Sequence, residues 1–283
     1  MSLGAYYELT KPGITGYVMV TAGVSAAVAS GGGVSPLLVL HAALGTGLST
    51  AGALALNQYV EREVDQVMTR TRHRPLPSGR LQPAQALVFG VAMLAFGLIY
   101  LLVASGPLPA ALAAVSGLAY LAVYTPLKRR SYVATLAGAV PGALPTLIGW
   151  SATGTAIDTG ALALFAIAYL WQLPHVLGLA WVLQDDYARV GFKLVPEGGA
   201  RVVGAHMIAA TLVLVPVSLA PTLLGITGFW YLGAALVASL GLFVVALRTA
   251  RDLSEVSARK LFLASLVYHP VLLGFMLFDA VRV

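Results

Sequence analysis

Asn57, Glu61 and Asp65 recur every four residues at the end of a long apolar segment, and Arg70 and Arg74 repeat that spacing just beyond. On a helix the first three side chains share one face. Carboxylates hold hard divalent cations, and arginines grip phosphate oxygens. Types and spacing together suggest a site for a metal–diphosphate. A second polar cluster runs from Trp171-Gln172-Leu-Pro174-His175 to Asp185-Asp186-Tyr187-Ala-Arg189-Val-Gly191-Phe-Lys193. Asp185 and Asp186 offer carboxylates to the same metal or to a second one. His175 precedes Asp185 by about ten residues, which places it roughly 15 Å deeper along a helix. Gln172, three residues before it, is expected on the same face as His175.

Each cluster also has a plainer reading. Basic residues collect in loops on one side of a membrane without any ligand, and an Asp-Asp pair often just solvates a helix end. Three oxygen-bearing side chains on one helical face at headgroup depth are nevertheless costly without a partner. Core hydrogen bonding competes with ligand binding for Gln172 and His175.

The elements that must position these groups are membrane spans. Of 283 residues, 59% are hydrophobic and 10% charged, and the mean hydropathy is +0.86, which excludes an ordinary soluble domain. Nine apolar stretches approach the length of a bilayer crossing: 13–30, 37–57, 84–104, 108–126, 131–150, 161–183, 202–223, 227–247 and 261–281. They are continuously apolar rather than alternating, so helices and not barrel strands are expected. The predicted fold is all-α, an integral membrane protein of nine transmembrane helices around a central cavity, in a single domain over 1–283. With no cysteine in the chain, neither a disulfide nor a thiolate metal site can form.

Placing the charges on this topology explains the net charge of +6. Sixteen of the 17 Lys and Arg residues fall on one side, and only Arg282 lies opposite. Cytoplasmic loops carry such an excess, so the N-terminus is expected inside and the C-terminus outside. Topology accounts for the basic residues, and a nucleic-acid partner has no separate support. The opening residues lack a signal-peptide or transit-peptide pattern, which favours a prokaryotic inner-membrane protein or a mature form. The two long inner connections, 57–83 and 184–201, each follow a helix four spans from the other, as in two similar halves meeting at one site.

The remaining polar residues are less informative. Lys128, with Arg129 and Arg130, could close the anionic site from a third loop. His41, His206 and His269 suit local structural roles, and His73 suits either an exposed loop or a phosphate contact. Trp150, Trp171, Trp181 and Trp230 are read by default as interface anchors.

At the two clusters the chain resembles the UbiA-type intramembrane prenyltransferases, and among them most closely the heme O synthase group. The spaced Asn57, Glu61 and Asp65 match the family pattern, as do Met68, Arg70, Thr71, Arg74, Pro75 and Leu76 after them. The Trp-Gln-x-Pro-His element appears as Trp171, Gln172, Pro174 and His175, and Asp-Tyr-x-x-x-Gly as Asp186, Tyr187 and Gly191. The opening Tyr7-Glu-Leu-Thr-Lys11-Pro12 is similar too, so the likeness runs nearly the whole chain. Glu61 stands where many members carry Asp, and Leu194-Val195-Pro196 replaces Met-Leu-Pro.

The resemblance implies Mg²⁺, farnesyl diphosphate as donor, heme B as acceptor and heme O as product, with heme A synthase as a possible next partner. Asn57, Glu61, Asp65, Asp185 and Asp186 would be the catalytic metal ligands. Arg70, Arg74, Lys128 and Lys193 would bind diphosphate, and His175, Gln172 and Trp171 the heme. Two alternatives stay open: a quinone, chlorophyll or lipid acceptor, and a secondary transporter with an inner-facing cation site.

Overall fold

A computed structural model of the chain describes residues 3–31, 33 and 35–280; Arg282 lies outside them. A short helix α1 (Leu3–Leu9) leads into α2 (Pro12–Ala29), followed by α3 (Pro36–Val60), α4 (Arg62–Val67), α5 (Pro83–Ser105) and α6 (Pro107–Leu118). A π-helical turn over Ala119–Tyr124 joins α6 to α7 (Thr125–Leu127). Then come α8 (Val133–Ala152), α9 (Thr159–Val182), α10 (Gln184–Arg189), α11 (Gly199–Leu223), α12 (Phe229–Arg251) and α13 (Glu255–Phe278). With α6 to α7 taken as one crossing, the described residues contain nine helices long and apolar enough to span a bilayer.

The chain marks where these helices begin. Proline opens α2, α3, α5 and α6, where its missing N–H would have had no helical acceptor. Asp158 caps α9 by accepting the Ala161 N–H at 2.9 Å. Ser254 and Ser257 form a capping box on α13, so the ninth span begins at Glu255 rather than at the expected 261, and Arg259 and Lys260 lie within its first turns.

The bundle is built for a solvent of lipid. Its most apolar span, Pro83–Ser105, is only 22% buried, whereas Val133–Ala152 is 67% buried and among the less apolar. Lipid replaces the water that would penalise the outward face, so small and polar residues do the internal packing. Gly52 and Gly97 let α3 and α5 touch backbone to backbone: a methyl added at Gly52 would overlap Leu94, and one at Gly97 would overlap Ser49. Prolines 141 and 145 sit within α8, and Ser116 Oγ donates to the Pro141 carbonyl at 3.1 Å, a carbonyl that has lost its usual partner because Pro145 has no N–H.

A cavity of about 230 Å³ opens among α2, α3, α6, α8 and α9, with Val18, Leu54, Ile148 and Val176 on its apolar wall. Tyr120 and Tyr124 stand at its polar end, where the long connections gather.

Candidate functional site

Asn57, Glu61 and Asp65 form one buried face, 1%, 8% and 3% exposed. The helix that carries them is broken at Glu61, between α3 and α4, yet the i to i−4 bonds run through: Glu61 N–H reaches the Asn57 carbonyl at 2.9 Å, and Asp65 N–H the Glu61 carbonyl at 2.8 Å. The four-residue register therefore survives the break.

Each of the three is held by a different element. Asn57 donates to Thr125 Oγ1 at 3.1 Å and accepts from the Tyr120 hydroxyl at 3.2 Å. Glu61 pairs with Lys128 Nζ at 2.8 Å, both side chains being about nine-tenths buried. One guanidinium nitrogen of Arg74 reaches both carboxylate oxygens of Asp65, at 2.8 and 2.7 Å. Thr71 helps turn the loop back by donating to the Asp65 carbonyl at 3.0 Å. Lys128 Nζ also lies 4.5 Å from the Tyr124 ring centre, a cation–π contact. Tyr124 stacks on Tyr120, their ring centres 5.5 Å apart. The π-helical turn places both rings at the cavity's polar end, and such turns often mark functional sites.

The sequence places Lys11 among the inner-side charges and in the opening Tyr7–Pro12 motif but assigns it no role at the site. It is the one non-glycine residue with positive φ among those described, at 45°. Such a backbone is uncommon for a side-chain-bearing residue, and the surroundings hold it in place. Gln58 donates to the neighbouring Leu9 carbonyl at 2.8 Å, and Arg80 clasps Glu8 at 2.6 Å. Burial above all, with Arg74 and Lys128 adding to it, lowers the Lys11 ammonium to about 7 against the opposing pull of Glu61 and Asp65. Three cations thus converge on two carboxylates. Lys11 sits directly before Pro12 at a span start on the same side as both long loops, and within the opening Tyr7–Pro12 motif; these are the sequence signals for it.

The second cluster docks on the first through segment 65–74. Asp186 accepts the backbone N–H groups of Thr69 and Arg70, each at 3.3 Å, and pairs with Arg189 at 3.3 Å. Burial alone would raise its carboxyl; these hydrogen bonds and Arg189 outweigh it and hold it below the usual carboxylate range. Burial pushes the Tyr187 hydroxyl up, and Arg70 opposes it. Asp185 is exposed. The Lys193 side chain is also exposed and reaches Glu197 at 3.8 Å, while its backbone N–H holds the Lys128 carbonyl at 2.6 Å. Among the described residues no three His, Asp or Glu side chains close on one point as a metal cage. The donor set still suits a hard cation: Asn57, Glu61 and Asp65 present buried oxygens on one face.

Gln172 and His175 part company. Gln172 lines the cavity and donates to the Ala168 carbonyl at 2.9 Å; Gly142 leaves room for its carboxamide, since a methyl there would overlap Oε1. His175 turns to α13, where its Nδ1 meets Ser265 Oγ at 2.9 Å. Three helical residues still leave about 60° between side chains, enough to separate cavity from helix interface. Trp171 is 6% exposed and donates to the Ser265 carbonyl at 2.5 Å. Its ring stacks with His175 at 5.3 Å and with His269 at 4.7 Å, and His269 Nδ1 bonds the Tyr17 hydroxyl. Trp171 and Trp150, 4% exposed, are therefore interior residues and not interface anchors; Trp230, 69% exposed, fits that description. His41 and His206 make the local contacts expected of them, to Tyr100 and to the Val202 carbonyl.

The model of the UbiA prenyltransferase family matches residues 18–267. The chain belongs to the UbiA prenyltransferase family. It is 39% identical to the protoheme IX farnesyltransferase of Solibacter usitatus, over 97% of this chain and 98% of that one. The Myxococcus xanthus protein of the same name is 43% identical, over 92% and 89%. Among solved structures, a digeranylgeranylglyceryl phosphate synthase superposes with a TM-score of 0.83 at 17% identity, covering 99% of each chain. A UbiA homolog from Archaeoglobus fulgidus bound to GPP and Mg²⁺ gives 0.62 at 14%, covering 96% of this chain and 99% of that one. At those identities the structures show the shared fold. Family membership makes the chain a prenyltransferase of the membrane.

Proposed function

We propose that this chain transfers the farnesyl group of farnesyl diphosphate to a vinyl group of heme B, yielding heme O and diphosphate. The observation that carries the donor half is the link, through Tyr120 and Tyr124 of the cavity lining, to Asn57 and Lys128, beside the buried pairs Glu61–Lys128 and Asp65–Arg74. An isoprenoid chain fits the apolar side and a diphosphate the charged side. The acceptor follows from relatives about 40% identical over nearly their full length, all of them named protoheme IX farnesyltransferase.

Asn57, Glu61 and Asp65, together with Asp185 and Asp186, would hold Mg²⁺, and the ion would neutralise diphosphate oxygens as charge develops on the leaving group. Lys128 and Arg74 exchange their carboxylates for phosphate oxygens, and Lys11 and Arg70 add further positive charge. Donors aimed at developing charge in a dry site stabilise the departing diphosphate. Lys193 contributes through its backbone, by holding the Lys128 carbonyl. The cavity wall excludes water from the allylic cation. The vinyl carbon of heme B bonds to C1 of the farnesyl group, and water then adds to the resulting cation and loses a proton, giving a hydroxyethylfarnesyl substituent. Trp171, Gln172 and His175 serve the acceptor.

The site end of the bundle faces the cytoplasm of a prokaryotic cell in this reading, and heme O passes to an enzyme such as heme A synthase. Mass spectrometry of hemes extracted from a host lacking its own enzyme tests the proposal. Heme O should appear only when this chain is expressed; its absence with folded protein in the membrane overturns it.

A further inference from the structure

We propose that Ile148 is a specificity-determining residue: its side chain forms the floor of the cavity and limits the donor to a farnesyl chain. The inference rests on the reading of the cavity as the donor's prenyl site and holds whatever acceptor follows.

The register of the lining helices locates the floor. Three of them each have one lining residue farthest from the charged end: Ser49 on α3, Ala113 on α6 and Ile148 on α8. At a rise of about 1.5 Å per residue, Ser49 is roughly 12 Å from Asn57 along α3. Ala113 is roughly 15 Å from Tyr124 along α6 and the π-helical turn. Gly138, against which the Tyr124 ring packs, marks the same polar level on α8, and Ile148 is roughly 15 Å beyond it. The three helices therefore agree on the depth. A farnesyl chain has twelve carbons in line, and its bonds advance about 1.25 Å each when extended, about 14 Å in all. A fourth isoprene unit would add about 5 Å. The depth matches three units and leaves no length for a fourth.

Of the three residues at the far end, only Ile148 carries a long side chain. It lines the cavity yet is 1% exposed, because Leu101 and Ala113 pack against it. Leu101 of α5 is itself fully buried and backs the floor from outside. The surrounding helices cannot part to lengthen the cavity. Ser49 meets Gly97 of α5 so closely that a methyl there would overlap its backbone. On α8, Ser25 of α2 donates to the Thr146 carbonyl at 2.6 Å, and Gly149 seats against the Ala22 carbonyl of α2. Ile148 is thus locked on both sides along its own helix. A longer donor must displace this side chain or leave its first carbon short of the buried face at Asn57. A smaller side chain at 148 opens the cavity as far as Leu101.

The test is calorimetric titration of the full-length protein in lipid nanodiscs, with Mg²⁺ and without heme, using geranyl, farnesyl and geranylgeranyl diphosphates. Product masses with heme B follow on the same samples. The wild type should bind farnesyl diphosphate about 10–200-fold more tightly than geranylgeranyl diphosphate, the range for a misfit of one methylene in an apolar pocket. Ile148→Ala should bring the two close to parity and yield a geranylgeranyl adduct. Ile148→Phe, which raises the floor, should weaken farnesyl diphosphate by a similar factor and keep geranyl diphosphate. Inorganic diphosphate should bind every variant alike, since position 148 is remote from the charged end. An undiminished farnesyl preference in Ile148→Ala overturns the proposal, as does a wild type that binds geranylgeranyl diphosphate equally well. Should Ile148→Ala not assemble, Ile148→Val must move the ratio in the same direction; an unmoved ratio there overturns it equally. Heme O formation with a chain-length preference indifferent to position 148 sinks this inference alone. Selectivity that follows position 148 with no heme O formed supports the floor and sinks the acceptor reading. A wild type that binds none of the three donors sinks the donor reading itself.

Discussion

Replacing Lys128 by methionine removes a charge while keeping most of the side chain's volume. In the native protein Lys128 Nζ sits 2.8 Å from Glu61, with side-chain exposures of 8% and 10%, and covers the Tyr124 ring at 4.5 Å. Removing one partner of a buried pair strands the other charge, at a cost of about 3–5 kcal/mol. Loss of the cation–π contact adds about 0.5–1 kcal/mol. At about 2–4 °C per kcal/mol for a protein of this size, the unfolding midpoint should fall on the order of 10 °C. Glu61→Gln alone strands Lys128 and should lower the midpoint similarly. The double variant leaves neither charge stranded, so it should recover most of the loss. Activity should follow a different pattern. Both single variants and the double variant should lose turnover by about 10²–10³-fold, the usual result of deleting one group that stabilises developing charge. Thermal unfolding in detergent and diphosphate release measure the two effects on the same samples. Additive destabilisation in the double variant would contradict a buried Glu61–Lys128 pair, and retained turnover would contradict its role.

Three shorter tests follow. Lys11, lowered to about 7 from an ordinary 10.5, sheds its proton in the folded protein before the unfolded chain does. The unfolded state therefore binds more protons between pH 7 and 10.5, and stability should rise with pH across that window; Lys11→Met should flatten the rise in urea titrations. The chain contains no cysteine, so single cysteines report topology directly: Ser78→Cys should react with a cytoplasmic thiol reagent and Ala156→Cys with a periplasmic one, and the reverse pattern would invert the orientation. Gly142→Ala should push the Gln172 carboxamide from its niche and slow turnover several-fold, while a variant with unchanged kinetics would remove Gln172 from the cavity's working wall.

The span count was legible because lipid imposes one long apolar helix per crossing, and the charges sorted to one side around it. Boundaries moved where local chemistry decided them, as at Ser254 and Ser257. The register of Asn57, Glu61 and Asp65 could be read from spacing alone, although the break at Glu61 could not, since the hydrogen-bond ladder runs across it. A site role for Lys11 could not be read because it depends on a left-handed turn and on charged neighbours 50 or more positions away. Gln172 and His175 could not be assigned to separate surroundings from an i, i+3 interval. That division is set by α8 and α13, which both pack against α9 and take one side chain each. Ile148 was invisible for a similar reason: an isoleucine in an apolar span reads as a packing residue until the cavity it closes is known.

In the proposed reaction the buried face at Asn57, Glu61 and Asp65 drives farnesyl transfer to heme B. The most direct measurement is mass spectrometry of products from purified protein given heme B, farnesyl diphosphate and Mg²⁺, with Asp65→Asn run beside the wild type. Heme O from the wild type, lost on chelation of Mg²⁺ and in a folded Asp65→Asn variant, is the predicted result. Heme O at an undiminished rate from Asp65→Asn, or none from folded wild-type protein, would contradict the account.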